Sequence, residues 1–382
     1  MKNLVVFGGS SYPELTAAVC NRLGISSGKS KLAKFSNNET SVEMRESVRE
    51  QDVYIIQSGC GTVNDNLFEL LIMINACKVA SAKRITAVLP HFPYSRQPDV
   101  PYKASSGAPL ASLPPATPRN DKLNTATTAS TDDVSRQLMN KLAKVSLENN
   151  NSSGGAGNSS QYRQWVARSG TLVADLLTCA GADHIITMEM HDPQFQGFFD
   201  CPVDNLVSSP LMINYIRHQI PNYQDAVIVS PDAGGAKRAT AIAEKLRMDF
   251  ALVHKERRQV STNKRDLMLV GDVRGKDIII VDDVTDTSYT ITRAARMLRE
   301  NGARKIYALV CHAILSGNAA RNIEDSCIDQ LIVSNTIPQH EHLRDSPKIK
   351  VYDVAPIFSE AIRRTHFGES VSMLFDAQFD TI

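Results

Sequence analysis

The chain has 382 residues, which is long enough for two domains that each bury a core of their own. Lys and Arg number 42 against 41 Asp and Glu, so no excess of positive charge points to nucleic acid or to a membrane surface as a partner. The N-terminus lacks the apolar core of a signal peptide, no apolar run reaches the roughly 18 residues of a membrane span, and the seven cysteines contain no CxxC pair, so we expect a cytoplasmic protein without a zinc site or a disulfide framework.

Strand-like apolar runs alternate with helix-like segments along most of the chain. In the first part "NLVVFGG" precedes "SYPELTAAVCNRLG", and "DVYIIQS" precedes "NDNLFELLIMINACKVAS", where Leu67, Leu70, Leu71 and Ile74 repeat at helical spacing. Later runs are "HIITMEM", "AVIVSPDAGG" with "AKRATAIAEKL", "FALVHKE", "IIIVDDV" with "ITRAARML", "KIYALVCHA" and "QLIVSNT". Continuous apolar strands between helices predict α/β architecture with parallel sheets covered on both faces, in which ligands bind at the carboxyl ends of the strands.

Residues 101–163 interrupt this alternation with a segment rich in Pro, Ser, Thr, Asn and Gly. Such a composition has too few apolar side chains to offset the entropy lost on ordering. Within it, Val134, Leu138, Leu142 and Val145 lie near one helical face, which predicts a single short helix. Because α/β segments resume directly afterwards, we interpret the segment as an insertion rather than a linker between domains.

The stretch "IIIVDDVTDTSYTI", residues 278–291, is typical of a strand that turns into a helix. The free backbone N–H groups at such a helix start bind phosphate, and Thr287, Ser288 and Thr290 add hydroxyl donors. The acids Asp282, Asp283 and Asp286 would repel a bare phosphate, but carboxylates accept hydrogen bonds from sugar hydroxyls and bind Mg²⁺. The stretch therefore favours a sugar phosphate as ligand; the alternative is an acidic strand end followed by a helix cap.

Two further stretches carry charge next to predicted strands. "VSPDAGGAKRA", residues 229–239, combines Gly234 and Gly235 with Lys237 and Arg238, which suits a polyphosphate, and Asp232 is either a Mg²⁺ ligand or a turn residue. "VHKERRQVSTNKRD", residues 253–266, is a basic run that is either a solvated face or a loop that closes over a reaction centre.

The remaining candidate stretches are less specific. "MEMHDPQFQGFFDCPVD", residues 188–204, groups Glu189, His191, Asp192, Asp200 and Asp204, either for a metal or phosphate or for a structural role. "AKFSNNETSV", residues 33–42, predicts a loop by its pattern alone.

Taken together, these stretches resemble the ribose-phosphate pyrophosphokinase family, the phosphoribosyl-pyrophosphate (PRPP) synthetases. The resemblance covers residues 1–97 and about 171–377, and the insertion looks like that of a fungal form. The most specific stretches are "NDNLFELLIMINACKVASAKRITAVLP", "SPDAGGAKR", "VDDVTDTSYT" and "SEAIRRTHFGESVSMLF". The resemblance implies two similar doubly wound parallel-sheet domains of the type I phosphoribosyltransferase kind: residues 1–208 on the ATP side, and residues 209–382 binding ribose 5-phosphate.

The reaction implied by the resemblance transfers the β,γ-diphosphoryl group of ATP to the C1 hydroxyl of ribose 5-phosphate, giving PRPP and AMP. This product feeds nucleotide, histidine and tryptophan biosynthesis. Mg²⁺ is the expected cofactor. The expected assembly is an oligomer of this chain or of this chain with paralogous subunits, without nucleic acid or membrane.

The resemblance also assigns roles to individual residues. For catalysis it implies Lys255 and Arg257. For ATP binding it implies Phe35, Asn37, Glu39, Arg96, Gln97 and His191. For ribose 5-phosphate it implies Asp282, Asp283, Asp286, Thr287, Ser288, Tyr289 and Thr290. For the metal it implies Glu189, His191, Asp200, Asp204 and Asp232. For an allosteric phosphate site it implies Ser47, Arg49, Gln196 and Asn205.

Four departures from the family pattern bear on these roles. Glu189 replaces an Asp, Tyr289 replaces a small residue, Pro193 replaces a Ser, and "RQPDV" lacks the lysines that usually follow. The altered "RQPDV" and the insertion favour an alternative function, a weakly active or inactive regulatory or structural subunit of a hetero-oligomeric synthetase. The retained Lys255, Arg257, His191, Asp282 and Asp283 favour an active enzyme. A transferase that consumes PRPP would share residues 278–291, but it would not explain residues 35–39 or Arg96.

Overall fold

A computed structural model describes residues 2–96, 169–255 and 267–376. The predicted insertion at 101–163, Gln97 and Arg257 lie outside the described residues, as does the side chain of Lys255. Elements are numbered below in chain order.

The first sheet contains five strands, all parallel, in the order β1-β4-β5-β6-β7. Their bounds are β1 Leu4–Gly8, β4 Asp52–Ile56, β5 Arg84–Leu89, β6 His184–Met188 and β7 Val203–Leu206. Every residue of β4 and β6 is buried, as expected of central strands covered on both faces. Two further strands, β2 Ser30–Lys34 and β3 Thr40–Met44, form a separate antiparallel hairpin.

The second sheet contains seven strands in the order β10-β9-β8-β11-β12-β13-β14. Their bounds are β8 Val227–Ser230, β9 Asp249–Lys255, β10 Leu267–Val270, β11 Ile278–Thr285, β12 Ile306–Ala313, β13 Gln330–Ser334 and β14 Ile349–Tyr352. Neighbouring strands are parallel except for β10, which pairs antiparallel with β9 at one edge.

Most of the helices connect strands, and two follow the last strand, β14. Their bounds are α1 Pro13–Leu23, α2 Val63–Val79, α3 Ser169–Ala180, α4 Ser209–Gln219, α5 Ala236–Leu246, α6 Tyr289–Glu300, α7 Ala319–Glu324, α8 His340–Asp345, α9 Ala355–Phe367 and α10 Met373–Asp376. Short 3₁₀ turns cover Pro193–Phe198 and Tyr223–Asp225.

Buried side chains alternate between cores along the strands, because successive residues of a strand point to opposite faces. In β4, Tyr54 and Ile56 belong to a core that also contains Ile279 and Val281 of β11, so one core is shared by the two sheets. Helices α1, α4, α5 and α9 contribute to this shared core. Helices α2 and α3 cover the other face of the first sheet, and α6 and α7 cover the other face of the second. The predicted α/β class with two covered parallel sheets is confirmed.

The two sheets follow one another along the chain. The first sheet ends with β7 at Leu206 and the second begins with β8 at Val227, so the predicted domain boundary at 208/209 falls between them. The boundary itself stays a prediction. None of the helices among the described residues combines the length and apolar character needed to cross a membrane.

Candidate active site

A cavity of about 490 Å³ opens where β8 and β11 end. Its lining comes from the loop after β8, the end of β11 with the turn into α6, and two residues that follow strands of the first sheet. The lining residues are Arg96, His191, Asp232, Gly234, Gly235, Arg238, Asp282, Asp283, Val284, Thr285, Asp286, Thr287, Ser288, Tyr289, Thr290 and Ile291. The cavity therefore lies at the carboxyl ends of parallel strands and brings together the two glycine- and hydroxyl-rich stretches singled out in the sequence.

The turn into α6 is built around Ser288, which has a positive φ of 60° and is buried. Its Oγ lies 2.7 Å from the carbonyl oxygen of Thr287 and 3.2 Å from that of Ala319, so the hydroxyl donates inward to the backbone. Thr287 and Thr290 line the cavity, and the 12-residue helix that follows leaves its first N–H groups without intrahelical partners. The turn thus offers backbone donors and two hydroxyls to an anion.

Asp283 is a buried carboxylate whose two oxygens face different cations. Its Oδ2 accepts a hydrogen bond of 2.6 Å from His191 Nδ1, and its Oδ1 lies 3.5 Å from Arg238 Nη1. Burial alone would raise the pKa of Asp283, but the His191 hydrogen bond and the Arg238 charge outweigh it and lower the pKa well below the usual range. The same hydrogen bond raises the pKa of His191. Asp283 is consequently ionised, and His191 favours its protonated form.

Asp282 behaves in the opposite way to its neighbour. Burial, reinforced by the charges of Asp283 and Asp232, raises the pKa of Asp282 to about 8. Without a cation, burial therefore favours the protonated form of Asp282. A divalent cation would displace that proton, so the donor set fits a hard ion such as Mg²⁺.

The loop after β8 brings Asp232 to the same cavity. Asp232 Oδ1 accepts a hydrogen bond of 3.1 Å from the Gly235 N–H, and a Cβ at Gly235 would come within 2.9 Å of Ser230 Oγ. A side chain at 235 would therefore displace the Ser230 hydroxyl. In the part of the chain that is described, no three His, Cys, Asp or Glu side chains already converge on a metal position. A Mg²⁺ ion here would take its other ligands from substrate phosphates and water, as Mg²⁺ usually does.

Glu189 and Arg238 form an ion pair between a segment that follows a strand of the first sheet and a helix that follows a strand of the second. Glu189 follows β6, and its Oε1 accepts hydrogen bonds from Ser208 N at 2.8 Å and Ser208 Oγ at 3.0 Å. Its Oε2 lies 3.4 Å from Arg238 Nε. Burial acts to lower the pKa of Arg238, but the charges of Glu189 and Asp283 raise it, so the guanidinium stays charged. Sequence reasoning noted Arg238 only as added charge and did not anticipate this contact.

Arg96 and Asp286 form an ion pair between the residues assigned to ATP and the residues assigned to ribose 5-phosphate. Arg96 Nη1 lies 2.7 Å from Asp286 Oδ2. Burial acts to raise the pKa of Asp286, but hydrogen bonds from Ser316 and Arg96 lower it. An arginine that the resemblance assigns to ATP therefore lies on the turn assigned to ribose 5-phosphate.

Several predicted site residues lie away from the cavity lining. Phe35, Asn37 and Glu39 occupy the loop of the β2–β3 hairpin, where the Phe35 ring is 59% exposed. Asp204 forms an ion pair of 2.9 Å with His184 on β6, and Asp200 is exposed.

The residues predicted for an allosteric site are also separate from the cavity. Ser47 and Arg49 are exposed in the segment after β3. Gln196 Nε2 donates to the Pro193 carbonyl at 3.2 Å, and Asn205 Oδ1 accepts from Met190 N at 3.1 Å. Gln196 and Asn205 thus stabilise local structure. The regulatory role of all four residues stays a prediction.

Comparison with known proteins decides between the functions that the sequence left open. The N-terminal domain of ribose phosphate pyrophosphokinase matches residues 4–111, and the phosphoribosyl synthetase-associated domain matches residues 258–376. Ribose-phosphate pyrophosphokinase 5 of Schizosaccharomyces pombe is 54% identical over 376 residues, which covers 98% of each chain. This chain belongs to the ribose-phosphate pyrophosphokinase family.

A solved structure extends the similarity to the fold. The phosphoribosylpyrophosphate synthetase of Mycobacterium smegmatis matches with a TM-score of 0.74 at 33% identity, covering 96% of this chain and all of that one. Ribose-phosphate pyrophosphokinases are diphosphoryl transferases, and this is the enzymatic activity of the chain. The comparisons do not favour an inactive regulatory or structural subunit.

Proposed function

We propose that ribose 5-phosphate binds in the cavity with its 5-phosphate on residues 286–290 and its ring hydroxyls on Asp282 and Asp283. The observation that carries this proposal is the juxtaposition, in one cavity, of an anion-binding turn and a pair of buried carboxylates. A phosphate needs the N–H and hydroxyl donors of the turn, whereas sugar hydroxyls need acceptors. A ligand with both groups satisfies both parts of the site.

ATP is the second substrate, and Arg96 and His191 are the described residues that support its placement beside the sugar. The Nδ1 of His191 donates to Asp283, so its Nε2 is the ring atom that can donate to a phosphate oxygen. Gly234 and Gly235 allow the polyphosphate close to the backbone. Phe35, Asn37, Glu39 and Gln97 stay assigned to ATP by resemblance.

Mg²⁺ is the proposed cofactor, with Asp232 and Asp282 as its ligands on this cavity. When bound, Mg²⁺ neutralises phosphate charge and supplies a Lewis acid. Asp282 would hold the ion as its ionised carboxylate. His191, Glu189, Asp200 and Asp204 were predicted as further ligands. Of these four only His191 lines the cavity, and its Nδ1 is held by Asp283.

The reaction itself needs positioning more than a strong base. The C1 hydroxyl oxygen of ribose 5-phosphate bonds to the β-phosphorus of ATP and loses its proton to water. The bond between that phosphorus and the bridging oxygen of the α-phosphate breaks, and AMP leaves with that oxygen. Asp283 orients the sugar by accepting from its ring hydroxyls. Lys255 and Arg257 are proposed to neutralise the charge that develops on the transferred group.

Oligomerisation, location and regulation are further parts of this proposal that rest on resemblance. We infer a cytoplasmic enzyme that assembles with itself or with paralogous subunits. Phosphate and ADP would act at Ser47, Arg49, Gln196 and Asn205, and more weakly than usual because Pro193 has no hydroxyl to donate.

An AMP-release assay tests the proposal. The purified chain is incubated with ATP, Mg²⁺ and ribose 5-phosphate, and AMP and PRPP are measured; omission of the sugar phosphate is the control. We expect AMP and PRPP in equal amounts. Formation of AMP without PRPP, or no AMP even after co-expression with paralogous subunits, would overturn the proposal.

A further inference from the structure

Arg238 lies in the first turn of α5, between a carboxylate of each sheet, and 22% of its side chain is exposed. We propose that Arg238 is a positioning residue for ribose 5-phosphate, which orients Asp283 through one guanidinium nitrogen and is itself oriented by Glu189 through another. This inference rests on the proposed function, because it concerns the orientation of the carboxylate that would receive the sugar.

The two carboxylate oxygens of Asp283 are held from opposite sides. His191 Nδ1 lies at 2.6 Å from Oδ2, and Arg238 Nη1 lies at 3.5 Å from Oδ1. A carboxylate held by both oxygens cannot rotate freely about its χ2 angle, so the lone pairs that remain point in fixed directions. Removing Arg238 would leave one oxygen without its cation and would release this rotation.

Glu189 fixes Arg238 in turn. Its Oε1 accepts from both the backbone N–H and the hydroxyl of Ser208, at 2.8 and 3.0 Å, so this carboxylate is anchored to the start of α4. Its Oε2 is 3.4 Å from Arg238 Nε. These contacts direct Glu189 toward Arg238. We infer that its charge serves the arginine and that Glu189 is not a direct metal ligand.

The geometry suits an arginine specifically. Nε and Nη1 belong to one rigid planar group, and here they face carboxylates from two different sheets at 3.4 and 3.5 Å. The single ammonium of a lysine cannot present two nitrogens in this way. The charge also matters, because Asp232, Asp282, Asp283 and Asp286 line a cavity that is proposed to bind phosphates. Arg238 offsets part of that negative charge.

Kinetics of Arg238→Gln provide the first test. We expect the KM for ribose 5-phosphate to rise by about tenfold or more, corresponding to about 1.4 kcal/mol, while the KM for ATP changes by less than about threefold. Arg238→Lys should restore part of the loss. The matched control is Arg304→Gln, since Arg304 Nε also pairs with a buried carboxylate, Asp277 Oδ1 at 2.7 Å, but before the start of β11. The control should leave both KM values unchanged.

A double-mutant cycle tests whether Glu189 acts through Arg238. Ribose 5-phosphate binding is measured by calorimetry without Mg²⁺ for Arg238→Gln, Glu189→Gln and the double variant. If the proposal is right, the double variant binds no more weakly than Arg238→Gln alone. Additive losses would overturn the coupling, as would a Glu189→Gln variant that binds ribose 5-phosphate as tightly as the wild type in this measurement and differs only in the Mg²⁺ concentration its activity requires.

The inference and the proposed function fail in different ways. If the wild-type chain binds neither ribose 5-phosphate nor ATP, the proposed function is wrong. If the wild-type chain binds both and Arg238→Gln leaves the ribose 5-phosphate KM and affinity unchanged, the positioning role is wrong. Should Arg238→Gln not fold, an unchanged KM in Arg238→Lys overturns the inference.

Discussion

Arg96 and Asp286 are 190 positions apart in the sequence, yet Arg96 Nη1 lies 2.7 Å from Asp286 Oδ2. Arg96 follows a strand of the first sheet, and Asp286 opens the turn into α6 of the second. The pair therefore connects the part of the cavity assigned to ATP with the part assigned to the 5-phosphate. It also neutralises a carboxylate that would otherwise repel the phosphate.

We predict that Arg96→Gln raises the KM for both substrates, each by about tenfold. ATP loses a cation, and the 5-phosphate meets an Asp286 carboxylate that is no longer neutralised. Steady-state kinetics with each substrate varied in turn measure both effects. Arg45→Gln is a suitable control, because Arg45 forms an exposed pair with Glu43 on the β2–β3 hairpin. A change confined to ATP would contradict the role of the pair at the sugar phosphate.

Asp282 makes the stability of the ligand-free enzyme dependent on pH. Its pKa is raised from 3.8 to about 8, mainly by burial, so the stability it contributes is present at acidic pH and is lost as the pH rises toward 8. We predict that the melting temperature of Asp282→Asn, which cannot ionise, rises relative to that of the wild type by roughly 2–5 °C between about pH 5 and about pH 8.

The measurement is thermal unfolding in the presence of a chelator. Excess Mg²⁺ should abolish the advantage of Asp282→Asn at the higher pH, because the ion stabilises the ionised carboxylate of the wild type. An advantage that is the same at both pH values would show that Asp282 is already ionised in the ligand-free enzyme.

The strand end and the turn that form the site could be predicted from local sequence patterns, whereas the contacts between its side chains could not. The apolar run 278–281 followed by carboxylates and hydroxyls predicted the end of β11 and the phosphate-binding turn, because strand ends and helix starts are properties of short windows. The position of the cavity then followed from the parallel topology.

Contacts between distant segments depend on how the two sheets pack, which no short window contains. The Arg238 bridge joins Glu189, which follows β6 of the first sheet, with Arg238 in α5 and with Asp283 near the end of β11 of the second sheet. Likewise the edge-to-face pair of His91 and His312, whose ring centroids are 4.7 Å apart, gave no sequence signal. Ser288 shows a further contact that no short window contains: its hydroxyl donates to the backbone carbonyls of Thr287 and Ala319, and its role toward the phosphate stays a prediction.

For Lys255 we predict a catalytic defect without a folding defect. Lys255 is the last residue of β9, at the edge of the described structure, and Lys255→Ala should reduce kcat by ~10²–10³, the usual effect of losing one transition-state donor. Lys276→Ala is the control, since Lys276 Nζ pairs with Asp249 Oδ2, at the other end of β9, at a distance of 2.7 Å. Equal melting temperatures with an unchanged kcat in Lys255→Ala would refute the catalytic role.

Deletion of residues 104–160 tests whether the insertion belongs to the core. The deletion shortens the connection between Arg96 and Ser169 from 72 to 15 residues. Loop-closure entropy then favours the deleted form by about 1.4 kcal/mol. The described strands and helices on either side complete their sheet and their cores without it. We therefore predict an equal or slightly higher melting temperature. A large decrease would mean that the segment is part of the core.

The same deletion tests whether the insertion binds a partner subunit or has no binding role. The apolar positions 134, 138, 142 and 145 repeat at helical spacing, a pattern that a purely solvated segment does not need. We therefore expect the deleted chain to stay folded but to lose its complex with paralogous subunits. Size-exclusion chromatography of the co-expressed subunits measures this, with the intact chain as reference. A complex of unchanged size would rule out docking. Because the segment begins five residues after Arg96 in the sequence, a change in the KM for ATP would then assign it to the active site instead.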